Sequence, residues 1–319
     1  MAKETPTKKK NKKSAAASSA KANAKAVKAA ARTKAAKPVA EITPAEPVMK
    51  ADKKSASDAR TPVGKLARWY KWLGLLLFAE GLAVVVLNRS VTAPVTLQYP
   101  AIDALASEST GHQVLGLASR HLADVHVGWM VATFLIVFAA INLMQASAYR
   151  KYLDTVAQRG VNAFRSLALG LGGGVMVATI GMVSGISSLP LLLAMAGAVF
   201  VGSLLGLGAE VVVANNGGVK TRFAHFLCSV AMISSLLPWL VFGLAILGAN
   251  LWDGNIPGFL YSIYACQFVL FGAILLAMHY RLKRQGKWAD ALYSDRGFLY
   301  LSFIAATLLA AQVFAGVLK

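Results

Sequence analysis

The amino-acid sequence predicts an all-α membrane protein in which seven helices cross the bilayer. Hydrophobic residues make up 56% of its 319 residues and the mean hydropathy is +0.55, which is too apolar for an ordinary soluble enzyme. Seven separate apolar stretches each hold about 20 residues or more, the length that a helix needs to cross ~30 Å of hydrocarbon. The charged residues fall mainly outside these stretches, as expected for a multi-pass protein.

The predicted spans follow one another closely after the first loop. They lie at 69–88, 125–147, 166–188, 190–213, 224–249, 256–279 and 298–318.

Their orientation follows from the basic residues of the connecting loops. The loops at 148–160, 214–223 and 281–296 carry ten Lys and Arg residues, whereas the alternate loops carry only Arg89 and Arg120. Because basic loops stay in the cytoplasm, we expect a cytoplasmic N-terminus and an outer C-terminus, in the plasma membrane.

Residues 1–62 are predicted to form a disordered basic tail. They hold 16 Lys and Arg residues against 5 acids, and no aromatic residue, so they offer too little apolar surface to fold. The tail is either a solvated segment that only reinforces topology or a binding segment. Its candidate partners are anionic lipid headgroups and a cytoplasmic protein, with nucleic acid as the weakest option.

The outer loop, 89–122, contains the sequence VTAPVTLQYP, whose partial alternation of polar and apolar residues predicts a short extended segment or hairpin. His112, His121, Asp124 and His126 cluster after it. The spacing of five between His121 and His126 does not place two ligands on one helical face, so no metal site is predicted.

Other motifs also favour structural roles. The sequence GLGGGVMVATIG at 170–181 lacks the spacing of a phosphate-binding loop and lies within a span, where small residues allow helices to approach closely. No nucleophile, base and acid set and no metalloprotease, kinase or nucleotide-binding motif occurs in the sequence, which predicts a protein that is not an enzyme.

Three polar residues within the spans are candidate site residues. Glu80 lies near the centre of the first span, where a carboxylate costs about 2.5–3.5 kcal/mol. Asn142 in the second span is its predicted partner, either in a polar pocket or in a simple interhelical hydrogen bond. Glu210 lies near the inner end of the fourth span, where the main expectation is a terminal ion pair with the basic loops.

Several segments resemble the heliorhodopsin family. They are NAFR at 162–165, the pair Pro238-Trp239, IPGFLYSIY at 256–264, QGKWADALYSDRGFLYLSF at 285–303 and QVFAG at 312–316. The resemblance covers about 69–319 and implies a rhodopsin-like bundle with the inverted orientation given above, in a homodimer.

The same resemblance implies where retinal would be attached. The family's Schiff-base lysine follows an LSxxA-like stretch in the last helix, and LSFIAAT places Ala306 at that position. The family's counterion glutamate falls at Ala168, and its pocket histidines fall near Leu77 and Asn142. Both charged partners of a protonated Schiff base are therefore replaced by alanine.

Three functions remain open from the sequence. The first is a sensory or scaffold protein without covalent retinal and without a predicted cofactor. The second is a protein that binds retinal or a carotenoid non-covalently. The third is a transporter or channel for a small solute or ion, with Glu80 and Asn142 lining its route.

Overall fold

A computed structural model describes residues 61–87, 90–147, 150–219, 221–252 and 254–318. The predicted basic tail lies outside these residues except at its end, where Pro62 begins the first helix. Nine α-helices and two strands occur in the described part of the chain. In order they are α1 Pro62–Leu87, β1 Thr92–Ile102, α2 Ala104–Thr110, β2 Leu115–His126, α3 Val127–Ala146, α4 Arg150–Arg159, α5 Ala163–Val183, α6 Leu189–Asn215, α7 Arg222–Leu251, α8 Gly258–Leu282 and α9 Ala291–Val313.

Seven of these helices are long and apolar enough to span a membrane, which confirms the predicted bundle. They are α1, α3, α5, α6, α7, α8 and α9, the last continuing into a π-helical turn, Phe314–Leu318. Each packs against its neighbours in sequence, and α9 packs back against α1, so the helices form a closed ring. The most buried span is α5, with 72% of its apolar window inside the protein.

The glycine-rich segment is a helical packing surface, as the sequence indicated. A Cβ atom added at Gly172 would overlap the ring of Phe138 on α3, and one added at Gly174 would lie 3.0 Å from the carbonyl oxygen of Ala196 on α6. Alanine or any larger residue at these positions would push the helices apart. The glycines therefore set the close approach of α5 to both neighbours.

The segment between α1 and α3 is a two-stranded antiparallel hairpin. β1 contains the predicted extended sequence except its first residue, Val91, and β2 pairs with β1 along its length, with an irregularity between Val95 and Thr96. The hairpin is fastened to the α5–α6 connection, because the Thr96 backbone N–H donates to the Ser187 carbonyl at 2.8 Å. The loop is longer than predicted, and α3 begins at Val127 because strand pairing continues to His126.

The histidines of this hairpin do not converge. His121 Nε2 lies 3.0 Å from Asp124 Oδ1 in an exposed pair, and His126 is the residue before α3. Among the described residues, no three His, Cys, Asp or Glu side chains are close enough to hold a metal ion.

Candidate functional site: a buried charge cluster and the core around it

Two arginines and two acids meet at the end of the bundle where α4 and the α8–α9 connection lie. Arg165 comes from α5, Glu210 from α6, Arg281 from α8 and Asp295 from α9. Their side chains are at most 7% exposed. The four residues are called the charge cluster below, and their formal charges sum to zero.

Each arginine of the charge cluster binds both acids. Arg165 donates through Nη2 to Glu210 Oε1 and through Nη1 to Asp295 Oδ1. Arg281 Nε lies 3.1 Å from Glu210 Oε1 in an ion pair, and Arg281 Nη1 donates to Asp295 Oδ1 at 2.8 Å. Every ion is thus paired twice, which offsets the cost of removing it from water.

Neutral groups complete the coordination. Asn162 donates through Nδ2 to Asp295 Oδ2 at 2.9 Å and to Gln145 Oε1 at 3.1 Å, and its Oδ1 accepts from the Arg165 backbone N–H as the N-cap of α5. Arg281 Nη2 also donates to the Gly160 carbonyl at 2.8 Å. The guanidinium of Arg165 lies 4.5 Å from the ring centre of Phe298, in cation–π geometry.

Sequence reasoning missed three members of the charge cluster. The predicted basic loop 281–296 includes Arg281 and Asp295, but α8 extends to Leu282 and α9 begins at Ala291, so both residues lie within helices. Arg165 was noted only as part of a motif. The sequence does contain one signal for the charge cluster, because two arginines and two acids lie at the ends of different spans. A charge at such a position needs a partner of opposite sign.

Glu210 is an ion-pair residue, but not in the expected surroundings. Its side chain is 3% exposed, and its partners belong to neighbouring helices instead of loops, because its helix position faces α5 and α8. Its second oxygen, Oε2, is buried without a hydrogen-bond partner among the described residues.

Glu210 also separates two cavities. One, of about 60 Å³, is mainly apolar and extends into the bundle between α5 and α9, with Phe271 and Met278 in its wall. The other, of about 40 Å³, is lined by Arg159, Arg281 and Arg284. Glu210 lies in the wall of both cavities.

The predicted pair of Glu80 and Asn142 does not form. Glu80 Oε2 instead accepts a hydrogen bond of 2.8 Å from Thr307 on α9. Asn142 is buried against the α1 backbone near Gly74, six residues or about 9 Å along the helix from Glu80. The two residues line different cavities and so do not mark one route through the bundle.

Asn142 lies instead beside Ala168. Both line a cavity of about 10 Å³ together with Gln145 and Arg165, next to the charge cluster. This is close to the volume that holds one water molecule. The Nε2 atom of Gln145 is buried without a partner in the described structure and is a suitable donor to such a water.

Ala306 is fully buried on α9, and it belongs with Ala168 and Leu77 to the main apolar core. The residues on either side of Ala306 are held in place. The Ala305 carbonyl accepts from Gln267 Nε2 at 3.1 Å, and Thr307 donates to Glu80. Every lysine whose side chain the structure describes is exposed: Lys65, Lys71, Lys151, Lys283 and Lys287.

An aromatic cluster fills the bundle between α7 and α8. The ring of Trp239 lies 5.5–5.6 Å from those of Phe242, Phe268 and Phe271, in edge-to-face contacts. Trp239 Nε1 is buried and has no hydrogen-bond partner in the described part of the chain. The Pro238-Trp239 motif therefore contributes to the core.

The closed ring of apolar helices defines a multi-pass integral membrane protein, which resides in a lipid bilayer. A family model for heliorhodopsin matches residues 66–318, and the chain therefore belongs to the heliorhodopsin family. A search among curated proteins found no significant match. The family implies retinal binding in general.

Proposed function

We propose that this heliorhodopsin works without covalently attached retinal, as a light-independent sensory or scaffold protein of the plasma membrane. The observation that carries the proposal is Ala306, a fully buried alanine where the family resemblance places the attachment lysine. A Schiff base needs an ε-amino group inside the bundle, and the described lysines are all exposed.

The second alanine supports the same proposal. A protonated Schiff base in a low-dielectric core requires a nearby anion, and the counterion position carries Ala168. The acids of the charge cluster do not replace it, because both are already bound to two arginines. Glu80 is not at the counterion position either, because it lies on α1 and lines a different cavity from Ala168.

The test is the visible spectrum of the purified protein after expression with all-trans retinal. We expect the wild type to be colourless and Ala306→Lys/Ala168→Glu to gain a visible band. The single variant Ala306→Lys, which lacks the counterion, serves as the matched control and should absorb at a different wavelength or not at all. A visible band of the wild type that borohydride converts to near-ultraviolet absorption, with the retinyl group still attached to the denatured protein, would overturn the proposal.

Non-covalent pigment binding is the second candidate function. It is favoured by the unpartnered Trp239 Nε1 within an aromatic cluster, since a bound polyene end-group with an acceptor would satisfy that donor. The same spectrum separates the two candidates. A wild-type band that organic extraction removes completely, and that Trp239→Phe weakens, would indicate a non-covalent pigment.

The remaining parts of the proposal concern topology and partners. A cytoplasmic N-terminus is supported by the basic loops, and the basic tail would then face anionic inner-leaflet headgroups or a cytoplasmic protein. Single cysteines introduced at Ser119 and Lys287 test the orientation through labelling in intact cells. We expect only the Ser119→Cys protein to react with an impermeant maleimide, and cross-linking in cells tests the homodimer.

A further inference from the structure

A groove between α1 and α9 is the largest of the cavities described here. Its volume is about 300 Å³, and its walls are formed by Ala83, Val84 and Leu87 on α1, by Ala310 and Ala311 on α9 and by Phe314 in the π-helical turn that follows α9. Glu80 and Thr307 close one end. The groove lies between two spans of the bundle and is therefore open to the hydrocarbon of the bilayer.

Glu80 is only half satisfied by the protein. Its Oε2 atom accepts from Thr307 Oγ1 at 2.8 Å, whereas Oε1 has no partner among the described residues. A polar group that faces hydrocarbon without a hydrogen bond costs several kcal/mol. A hydrogen-bond donor that lies in the groove and reaches Glu80 Oε1 would remove this cost.

An ordinary acyl chain would cover the apolar walls but would leave Oε1 without a partner. An alcohol with a long apolar chain satisfies both parts of the site, because its chain covers the alanines and its hydroxyl group reaches the carboxyl. We propose that this groove binds a membrane-soluble long-chain alcohol whose hydroxyl group hydrogen-bonds to Glu80. This inference goes beyond the proposed function, and it does not depend on whether the protein binds retinal.

The size of the groove favours a chain over a protein helix. From Glu80 to Leu87 the groove follows seven residues, about 10 Å of helix. A helical segment of that length, 10–12 Å in diameter, occupies on the order of 1,000 Å³. The groove is too small to enclose such a segment, whereas a single extended chain can enter it and reach the Glu80 carboxyl group.

Photo-crosslinking of the full-length protein in nanodiscs tests the proposal. The probe is a C18 alcohol with a diazirine in its chain and a terminal alkyne, and the matched probe is its methyl ether, which lacks the donor. We expect the alcohol to label peptides of α1 and α9 at least fivefold more than the ether does. Excess unlabelled octadecanol should compete this labelling away.

Three variants provide the controls. Glu80→Ala should reduce labelling by the alcohol to the level of the ether, whereas Glu80→Gln, which keeps a carbonyl acceptor, should retain more than half. Glu108→Ala removes an exposed acid on α2, far along the chain from the groove, and should leave labelling unchanged. Circular dichroism of each variant confirms that the helices are intact.

Two results would overturn the proposal. The first is equal labelling by alcohol and ether, or equal labelling of the wild type and Glu80→Ala, which would make the groove an ordinary lipid-facing surface. The second is a disulfide-linked dimer of Ala311→Cys that forms in nanodiscs and blocks labelling, which would show that a second copy covers the groove.

Discussion

Arg281 Nη1 lies 2.8 Å from Asp295 Oδ1, and neither side chain is more than 6% exposed. The two residues stand on consecutive spans, and the same Asp295 oxygen also accepts from Arg165. One carboxylate therefore joins α9 to both α5 and α8. This arrangement makes the charge cluster a connection between helices as well as a set of ion pairs.

Asp295→Asn should destabilise the protein by about 3–5 kcal/mol, because it leaves two buried guanidinium groups with a single acid between them. Thermal unfolding in detergent, followed by circular dichroism, measures the change. The matched control is Asp290→Asn, at the exposed N-cap of α9, where asparagine caps as well as aspartate does. Equal melting temperatures for the two variants would contradict a structural role of the cluster.

Glu210 and Arg281 should show strong coupling in a double-mutant cycle. Each single change, Glu210→Gln or Arg281→Gln, leaves an uncompensated buried charge, whereas the double variant restores neutrality. We expect the double variant to be less destabilised than the sum of the two by about 1–3 kcal/mol. Additive effects within about 0.5 kcal/mol would mean that the pair contributes little.

Asn162→Ala should cost about 2–4 kcal/mol, since it removes the N-cap of α5 and also leaves Asp295 Oδ2 and Gln145 Oε1 without their donor. Thr221→Ala is the control, because Thr221 caps α7 through a single bond to the Ala224 N–H. We expect a loss of about 1 kcal/mol there. Similar losses at both sites would show that Asn162 acts only as a cap.

Gly172→Ala should destabilise the bundle by about 1–3 kcal/mol, because the new methyl group would overlap the ring of Phe138. Gly197→Ala on α6 is the control, since a Cβ atom there meets nothing within 4 Å. It should be neutral or should stabilise the helix by up to about 1 kcal/mol. The melting temperatures of the two variants measure the difference. A melting temperature of Gly197→Ala as low as that of Gly172→Ala would contradict the role of the Gly172–Phe138 contact in helix packing.

The spans were predictable from sequence because crossing a bilayer imposes one requirement, a continuous apolar stretch, that can be read without knowing any contact. Helix ends were less predictable. The α1 helix begins at Pro62, before the predicted stretch 69–88, and hydropathy does not detect this first part because it carries charges such as the exposed Lys65. A hairpin is one of the two predicted alternatives for the outer loop, but the sequence does not locate its second strand, β2, because pairing with β1 holds that strand in place.

The candidate site was only partly predictable. Glu80 and Glu210 stood out as acids inside apolar stretches, but their partners depend on how the helices are rotated in the ring. The sequence analysis names Asn142 as the partner of Glu80, whereas the packing of α9 against α1 brings Thr307 to it instead. In the sequence, Arg281 and Asp295 lie between two apolar stretches, like charged loop residues. In the structure, α8 and α9 extend beyond the apolar stretches and include them.

The charge cluster also sets an order of assembly. Asp295 follows Arg165 by 130 residues, and Arg281 follows Glu210 by 71. At a synthesis rate of about 5–20 residues per second, Arg165 waits on the order of ten seconds for its second carboxylate. Arg281 is made only 14 residues before Asp295, so the nascent chain holds two arginines against one acid only at the end of that time. The last helix to leave the ribosome then neutralises this end of the bundle as it closes the ring.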